Sequence, residues 1–534
     1  LIHQVVYGAL PGRIKLTAHA RVAAWIITHA SAQTTQYASV VAHHLEQAEK
    51  YAQSAVWYGR AAENARQDHA PETAVYHYCQ ALNLLPVAPE TAVPRIALNE
   101  GLGEMLRLLA QFKDATDAYQ AMINTALAAG DTPAAVRGHL GLFFCHFLQD
   151  DLTMALEAAQ AADTLATQTK LTDLQLVTQV AVGWVLVLIG DQYTAVQIGK
   201  TLYNNLKEGA APLPRAYMQA LLGHIARESG HFERASNTTE AARQGFREQQ
   251  QRLWETLMLA QLGHTARENH EWETAVNNYT ACLHYARDLG DVYGAVLALR
   301  HLGMIAMHQG RYAQADGYLH QALTQADKSS NDVLRMQVFC CLGQLHLLQA
   351  VADPQSALDL ASKEEHLQHA YTWWEQTLRL ARGLERPLAI STAVAGLAQL
   401  FLEDHLLEEA LAQATTAVET ALVVRRQQSG REAKRVTAVA WRVLGMVLAK
   451  EPTKQRTVNI QQRDVNAEEC FTRSYKLLYE IGTAALDELR QTLHHWANYE
   501  RLRDDTERAN ALMMEVERVQ RQMSAAALVT AVDT

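Results

Sequence analysis

The chain has 534 residues, which is more than one hydrophobic core usually organises, so several domains or a repeat array are expected. Hydrophobic residues make up 49% and charged residues 19%, as in an ordinary soluble protein, and the formal net charge of −10 disfavours nucleic acid as a partner. Ala and Leu are abundant and Pro is scarce, so the composition predicts helices throughout.

The opening segment combines the motif AHHLEQA at 42–48 with a spaced series: His3, Val6, Tyr7, Leu10, Arg13, His19, Val22 and Ala23. This pattern resembles the junction of signal-transducing NTPases of the STAND class, where a short winged-helix-like domain ends and helical repeats begin. The resemblance implies that 1–37 closes such a segment and that an ATP-binding domain lies upstream in a longer parent protein. The first residue is Leu1 rather than Met, which favours the same expectation.

A glycine mark then recurs at intervals of about 40 residues, within the range of periods that helical repeats adopt. An alanine follows most marks at a constant offset. The marks are Gly103, Gly141, Gly183, Gly223, Gly263, Gly303 and Gly343, and the alanines are Ala115, Ala155, Ala195, Ala235, Ala275 and Ala315. Apolar residues recur at three- and four-residue spacing on both sides of a short turn. Each unit is therefore predicted to be a pair of amphipathic helices, packed closely where the small residues lie.

These spacings resemble the tetratricopeptide repeat, whose small, aromatic and proline positions are matched in full by the first unit: Ala62, Ala74, Tyr78, Ala81 and Pro86. The family repeats at a shorter interval than this chain does, so the longer step here implies longer helices. We predict an all-α, right-handed solenoid of about twelve antiparallel helix pairs. Regular repeats are expected over 38–350 and less regular ones over 351–523, with insertions near 351–363 and 451–466 and a flexible tail at 524–534.

Side chains one, four and five residues after a mark are expected to line the concave groove. We also assign Arg300 to that face, three residues before its mark. The candidate partner-binding residues are Trp184, His224, Arg227, His264, Arg267, Arg300, Met304 and His308. Arg and His beside Trp and Met suit an acidic or amphipathic segment of a protein or peptide. Solvated side chains with ion pairs inside each helix are the alternative interpretation.

Two other clusters allow two interpretations each. Residues 421–480 carry twelve Lys or Arg against six Asp or Glu, which is more typical of a solvated face but also suits a local anionic partner. His366 and His369 share a helix face and would bind a metal if a third ligand joined them, although surface histidines are the preferred interpretation. We therefore predict no metal site and no cofactor.

The six cysteines form no CxxC pair and read as core residues in a reducing, cytoplasmic compartment. The longest apolar run, 180–189, is too short to span a membrane. Gly199-Lys200-Thr201 lacks the upstream glycine of a phosphate loop, and no other catalytic motif is present, so no enzyme is expected. The resemblance implies the sensor region of a STAND-type ATPase, which binds a protein, peptide or small-molecule effector and oligomerises through the parent ATPase. A stand-alone adaptor is the alternative.

Overall fold

The computed structural model describes residues 7, 10–29, 36–206, 212–351, 360–451 and 456–532. Helices account for nearly all of it, in consecutive antiparallel pairs, so the predicted solenoid of helix pairs is confirmed. We number the helices α1 to α24 in chain order. They are α1 Gly12–His29, α2 Ala38–Gln47, α3 Tyr51–Gln67, α4 Pro71–Leu84, α5 Ala92–Leu108, α6 Phe112–Ala129, α7 Thr132–Leu148, α8 Leu152–Gln168, α9 Thr172–Ile189, α10 Gln192–Asn205, α11 Pro212–Glu228, α12 Phe232–Glu248, α13 Arg252–Glu268, α14 Trp272–Leu289, α15 Val292–His308, α16 Tyr312–Ser329, α17 Asp332–Val351, α18 Leu360–Gly383, α19 Pro387–Glu403, α20 Leu407–Arg425, α21 Arg431–Leu448, α22 Ala467–Ile481, α23 Leu486–Leu502 and α24 Thr506–Val532.

The glycine marks lie where the prediction requires small residues. A Cβ at Gly103 would lie 2.8 Å from the Tyr119 ring, and one at Gly263 would lie 2.7 Å from the Tyr279 ring. Both rings belong to the second helix of the same pair, four residues after its alanine. The tyrosine ring therefore fills the space that a Cβ on the glycine would occupy. The buried alanine of the second helix packs at the same helix crossing.

A left-handed residue ends most helices and explains why the repeat is so regular. Positive φ recurs at a constant interval, at Ala110, Gly130, Asp150, Lys170 and Gly190, and again at later turns. At one such turn, the Asp131 amide donates to the Ala126 carbonyl at 2.8 Å, which closes the helix end. Two helices and two such turns make one step of the repeat.

The chain folds as two compact units. Unit 1 comprises 1–182 and 286–293, and unit 2 comprises 183–285 and 294–534. Within unit 1, the second segment packs on the first, since a Cβ at Gly290 would lie 2.8 Å from the Pro71 ring. Within unit 2, the late helices share a core around Trp374, Trp441 and Phe471.

The predicted insertion at 451–466 contains the two strands found among the described residues. Strands β1 Val458–Ile460 and β2 Arg463–Val465 form an antiparallel hairpin, which the all-helical prediction missed. Ile460 and Val465 bury one face of the hairpin, and Gln461 and Gln462 supply the positive φ of its two-residue turn. Residues 452–455 and most of the other insertion, 352–359, lie outside the described residues. The last helix continues through 524–532 of the predicted tail.

Helix α9 contains the apolar run 180–189 and extends beyond it. Its 18 residues are long and apolar enough to cross a membrane by length and composition, although a core helix passes the same test. Val180, Val185 and Val187 on this helix are buried. The cysteines fit the predicted core role: Cys145, Cys282, Cys341 and Cys470 are buried, Cys79 and Cys340 are half-buried, and all six are free thiols.

Candidate functional site

An arginine occupies the same repeat position in four helix pairs, four residues after the mark, with Ala62 taking the place of the glycine in the first pair. These residues are Arg66, Arg107, Arg227 and Arg267, on α3, α5, α11 and α13. The residue one after the mark is Glu63, Glu104, His224 or His264, and it lies on the same helix face as the arginine because three residues nearly complete a turn. We call these positions, with the adjoining acidic residues, the ladder. Each unit carries its own part of it.

The unit 2 ladder is linked across neighbouring repeats and then bound by a residue from far along the chain. Arg227 Nη1 lies 3.0 Å from Glu268 Oε1, and Arg227 Nη2 lies 2.8 Å from Glu228 Oε1. Arg431, the first residue of α21, places Nη1 at 2.6 Å from Glu268 Oε2. Its Nη2 donates to the Arg227 backbone carbonyl at 2.9 Å. Because its guanidinium group donates to both a carboxylate and a carbonyl, the Arg431 side chain is held in one orientation and its charge lies against that of Glu268.

These four side chains are nearly removed from water. The side chains of Arg227 and Arg431 are 10% exposed, and those of Glu228 and Glu268 are 7% and 5% exposed. Burial alone would raise the pKa of Glu268, but Arg227, Arg431 and Arg267 outweigh it and hold that pKa to about 2. Glu268 is therefore ionised at neutral pH, and removal of one of its arginine partners would leave a buried charge unpaired.

Aromatic and imidazole rings continue the unit 2 ladder along α13 and α15. His264 Nδ1 lies 2.6 Å from the Tyr279 hydroxyl, and the ring of His301 stacks on that of Tyr279 at 5.0 Å. Burial, together with the charge of Arg227, lowers the pKa of His224 to about 3. Burial likewise holds the pKa values of His264 and His301 well below their usual value. These rings are neutral at physiological pH.

The turn before α21 and the next helices extend this contact within unit 2. The Ser429 amide donates to the Ile189 carbonyl at 3.0 Å. Arg435 donates to the Ala484 carbonyl at 2.7 Å, and His270 Nε2 lies 3.3 Å from the Thr483 carbonyl. A cavity of about 310 Å³ remains beside this contact, lined by Trp272, His308, Arg490, Gln520, Met523 and Ser524. The C-terminal helices thus cover most of the unit 2 ladder.

The unit 1 ladder has the same cross-repeat pairing, and no such cover is found among the residues that the structure describes. Arg66 lies 2.6 Å from Glu63 on its own helix and 3.8 Å from Glu104 on α5. Arg137 on α7 lies 2.6 Å from Glu100 on α5. The side chains of Arg66, Glu104 and Arg137 are each 41% exposed. Among the described ion pairs of this ladder, each partner comes from the same or a neighbouring repeat.

The eight predicted site residues differ in how far they are buried. Trp184, His224 and Arg227 are buried, His264, Arg267, Arg300 and Met304 are half-buried, and His308 is exposed. The structure gathers most of them: the Trp184 ring lies 6.1 Å from His224, and that of His264 lies 4.6 Å from His301, the neighbour of Arg300. Their role in binding stays a prediction.

Sequence reasoning did not find Arg431 as the residue that binds this ladder, nor the unit 1 ladder itself. The sequence does contain a signal for the unit 1 ladder, because Arg66 and Arg107 occupy the same repeat position as Arg227 and Arg267.

The basic stretch at 421–480 finds anionic partners in the chain itself. Besides Arg431, Lys434 lies 2.9 Å from Glu480, and Arg456 lies 2.7 Å from Glu408. Arg435 and Arg442 are largely buried rather than solvated. The preferred interpretation as a solvated face is therefore wrong for this part of the stretch, because the α21 arginines are packed inside unit 2.

The N-terminal junction pattern also forms a connected contact. His19 on α1 lies 2.7 Å from His44 on α2, Nδ1 to Nδ1, and His19 Nε2 lies 2.6 Å from the Tyr7 hydroxyl. Tyr58 on α3 donates to Glu46 at 2.8 Å. These contacts join α1 to the first repeats, whereas His3 and Val6 of the pattern lie outside the described residues.

Comparison with known proteins gives a fold likeness only. No protein-family model matches the chain, and no curated protein matches it. A Rap protein complexed with competence and sporulation factor is 11% identical, with a TM-score of 0.51 over 73% of this chain and 99% of that one. The apo form of the quorum sensor NprR from B. thuringiensis is 14% identical, with a TM-score of 0.45 over 72% and 98%. A STAND protein with a tetratricopeptide repeat sensor from Pyrococcus horikoshii is 13% identical, with a TM-score of 0.43 over 77% and 56%.

Proposed function

We propose that this chain, which has the fold of tetratricopeptide-repeat solenoids, is a sensor scaffold that binds an acidic segment of a partner protein on its ladder. The contact of Arg431 with the unit 2 ladder carries the proposal, because it supports the view that this wall holds a polypeptide side chain from outside its own repeats. The preference for an acidic partner is supported instead by the recurring arginines of the ladder. The unit 1 ladder offers Arg66 at the equivalent position with much of its side chain exposed. It is therefore the proposed docking surface.

The chemistry of that surface favours carboxylates from a partner. Arg66 and Arg107 recur on successive first helices, where Arg66 is exposed beside Glu63 and Arg107 is half-buried. Arg107 also lies over the Phe144 ring at 5.4 Å, which holds the guanidinium plane against an apolar surface. A helix with acidic residues on one edge and apolar residues beside them matches this combination.

Binding of fluorescent amphipathic helical peptides to the full chain tests the proposal by anisotropy. Acidic peptides are expected to bind more tightly than basic peptides of the same hydrophobicity. The variant Arg66→Glu/Arg107→Glu should weaken acidic-peptide binding by about tenfold or more, which corresponds to about 1.4 kcal/mol. Lys113→Glu/Lys170→Glu changes the net charge equally at exposed positions away from the ladder and serves as the control. Equal losses in both variants, or a preference for basic peptides, would reject the proposed site.

We further propose that the scaffold is the cytoplasmic sensor region of a STAND-type ATPase. The AHHLEQA junction and the repeats that follow it support this assignment. A stand-alone adaptor remains the second candidate, and the reading frame upstream of Leu1 discriminates between them. A phosphate-loop motif that follows a predicted strand supports the sensor, and a frame without one supports the adaptor.

A further inference from the structure

Three histidines on adjacent helices of unit 2 converge at one point. His346 lies on α17, and His366 and His369 lie three residues apart on α18. One ring nitrogen from each lies within 4.8 Å of the other two. Sequence spacing identifies only His366 and His369, which share α18. His346 lies on the neighbouring helix α17, so spacing does not reveal it. We infer that His346, His366 and His369 form a binding site for a divalent transition metal, with Zn²⁺ as the best match.

The distances suit a tetrahedral ion. Two nitrogens bound to one zinc ion at about 2.0–2.1 Å lie about 3.4 Å apart. His346 Nδ1 and His366 Nδ1 are 3.3 Å apart, and the His346 ring centroid lies 5.0 Å from that of His369. The first pair is already at the required separation, and the exposed His369 ring offers the third nitrogen within 4.8 Å of both. Two side chains are half-buried and one is exposed, so an ion reaches the site from solvent.

The donor set selects the class of metal. Three imidazoles without a thiolate suit Zn²⁺, Co²⁺, Ni²⁺ or Cu²⁺, whereas Ca²⁺ and Mg²⁺ require oxygen ligands. Three protein ligands leave a fourth position for water or for a ligand atom from a bound molecule. Asp316 and His320 on α16 lie close enough to act electrostatically on His346, so α16 also faces the site.

The position of the ligands gives the metal a structural effect. The ligands lie near the end of α17 and the beginning of α18, on either side of the connection between these helices. A bound ion would join His346 on one helix to His366 on the next, and because these ligands converge only in the folded helix pair, the free energy of metal binding adds to the free energy of folding. Zinc therefore stabilises this helix pair.

Zinc titration of the untagged full chain by calorimetry tests the site. One Zn²⁺ per chain is expected to bind, and Co²⁺ substituted at the site should show the visible absorption of a tetrahedral ion. The triple variant His346→Gln/His366→Gln/His369→Gln should bind zinc at least about 10–100-fold more weakly. Removal of a single outer-shell partner already costs that much, and this variant removes all three ligands. The control His231→Gln/His284→Gln/His405→Gln removes three exposed histidines elsewhere in unit 2 and should retain the affinity.

Two further measurements separate the site from a folding defect. Circular dichroism of the triple variant without metal should match that of the wild type, and zinc should raise the Tm of the wild type and the control but not of the triple variant. The single variant His369→Gln changes only an exposed side chain and should weaken binding on its own. Zinc affinity that is equal in the wild type and in both the single and triple variants would overturn the assignment.

Discussion

The ladder arginines of the two units occupy the same repeat position, but they have glutamates beside them in unit 1 and histidines in unit 2, and they differ in what covers them. In unit 1, Arg137 lies 2.6 Å from Glu100 with 41% of the arginine side chain exposed. In unit 2, Arg431 lies 2.6 Å from Glu268 with 10% exposed. The two ion pairs therefore have equal nitrogen–oxygen distances, but the arginine of the second pair is much more shielded from water. The first pair is a surface ion pair of little energetic value, whereas the second is buried and costly to break.

This difference also separates two uses of one motif. The exposed Arg66 side chain leaves the unit 1 ladder open to the proposed partner, while the covered ladder holds two parts of unit 2 together. The sequence positions alone do not distinguish these uses, because the covering residue comes from a helix 163 residues beyond Glu268.

The largest expected effect comes from charge reversal at Arg431, for which Arg137 is the exposed comparison. Arg431→Glu places a carboxylate against Glu228 and Glu268 in a buried site and should lower the free energy of unfolding by about 3–5 kcal/mol. Arg137→Glu should cost no more than about 1 kcal/mol, because water and salt screen its surroundings. Urea unfolding measures both changes, and hydrogen exchange should show faster exchange along α21 in the first variant only. Equal effects would mean that burial does not distinguish the ladders.

Acidification is expected to weaken the covered ladder next. The pKa of His224 is about 3 in the folded chain, below its usual 6.5, so the unfolded chain binds more protons between these values. Stability should therefore be full above pH 6.5 and fall as the pH decreases, by about 1.4 kcal/mol per pH unit for this residue. His264 and His301 shift in the same direction and add to the slope.

Replacement of one histidine isolates this contribution. His224→Gln should reduce the pH dependence of the Tm between pH 7 and 5, whereas His231→Gln changes an exposed ring and should leave it unchanged. If His224→Gln keeps the full slope, the buried imidazole is not its source.

Repeat packing should be alike in the two units, and glycine substitution tests this. Gly103→Ala in unit 1 and Gly263→Ala in unit 2 each push a Cβ to within 3 Å of a tyrosine ring. Both should destabilise by about 1–3 kcal/mol, because a well-packed crossing has no room for the added atom. Thermal unfolding measures the losses. A loss confined to one variant would show that the units differ in their helix crossings as well as in their ladders.

The parts that sequence predicted are local, and the parts that it missed depend on distance. Gly263 and Tyr279 lie within one repeat, so their spacing predicts their contact. Arg431 reaches Glu268 only after several further repeats have turned the chain, and no spacing rule encodes that return. The β1–β2 hairpin was missed for a different reason, because two three-residue strands are too short to give a clear alternating pattern.

The smallest expected effect concerns the turns that set the repeat length. Lys170 adopts φ of 57° and Gly130 adopts φ of 73° at exposed turns of unit 1. Lys170→Gly should stabilise by about 0.5–1 kcal/mol, since glycine has no Cβ to strain in the left-handed region. Gly130→Ala should destabilise by about 1 kcal/mol for the same reason, and no neighbouring atom lies within 4 Å of the added Cβ to confuse the result. Opposite shifts in Tm would show that backbone conformation, rather than side-chain contact, fixes the helix ends, and shifts of the same sign would contradict it.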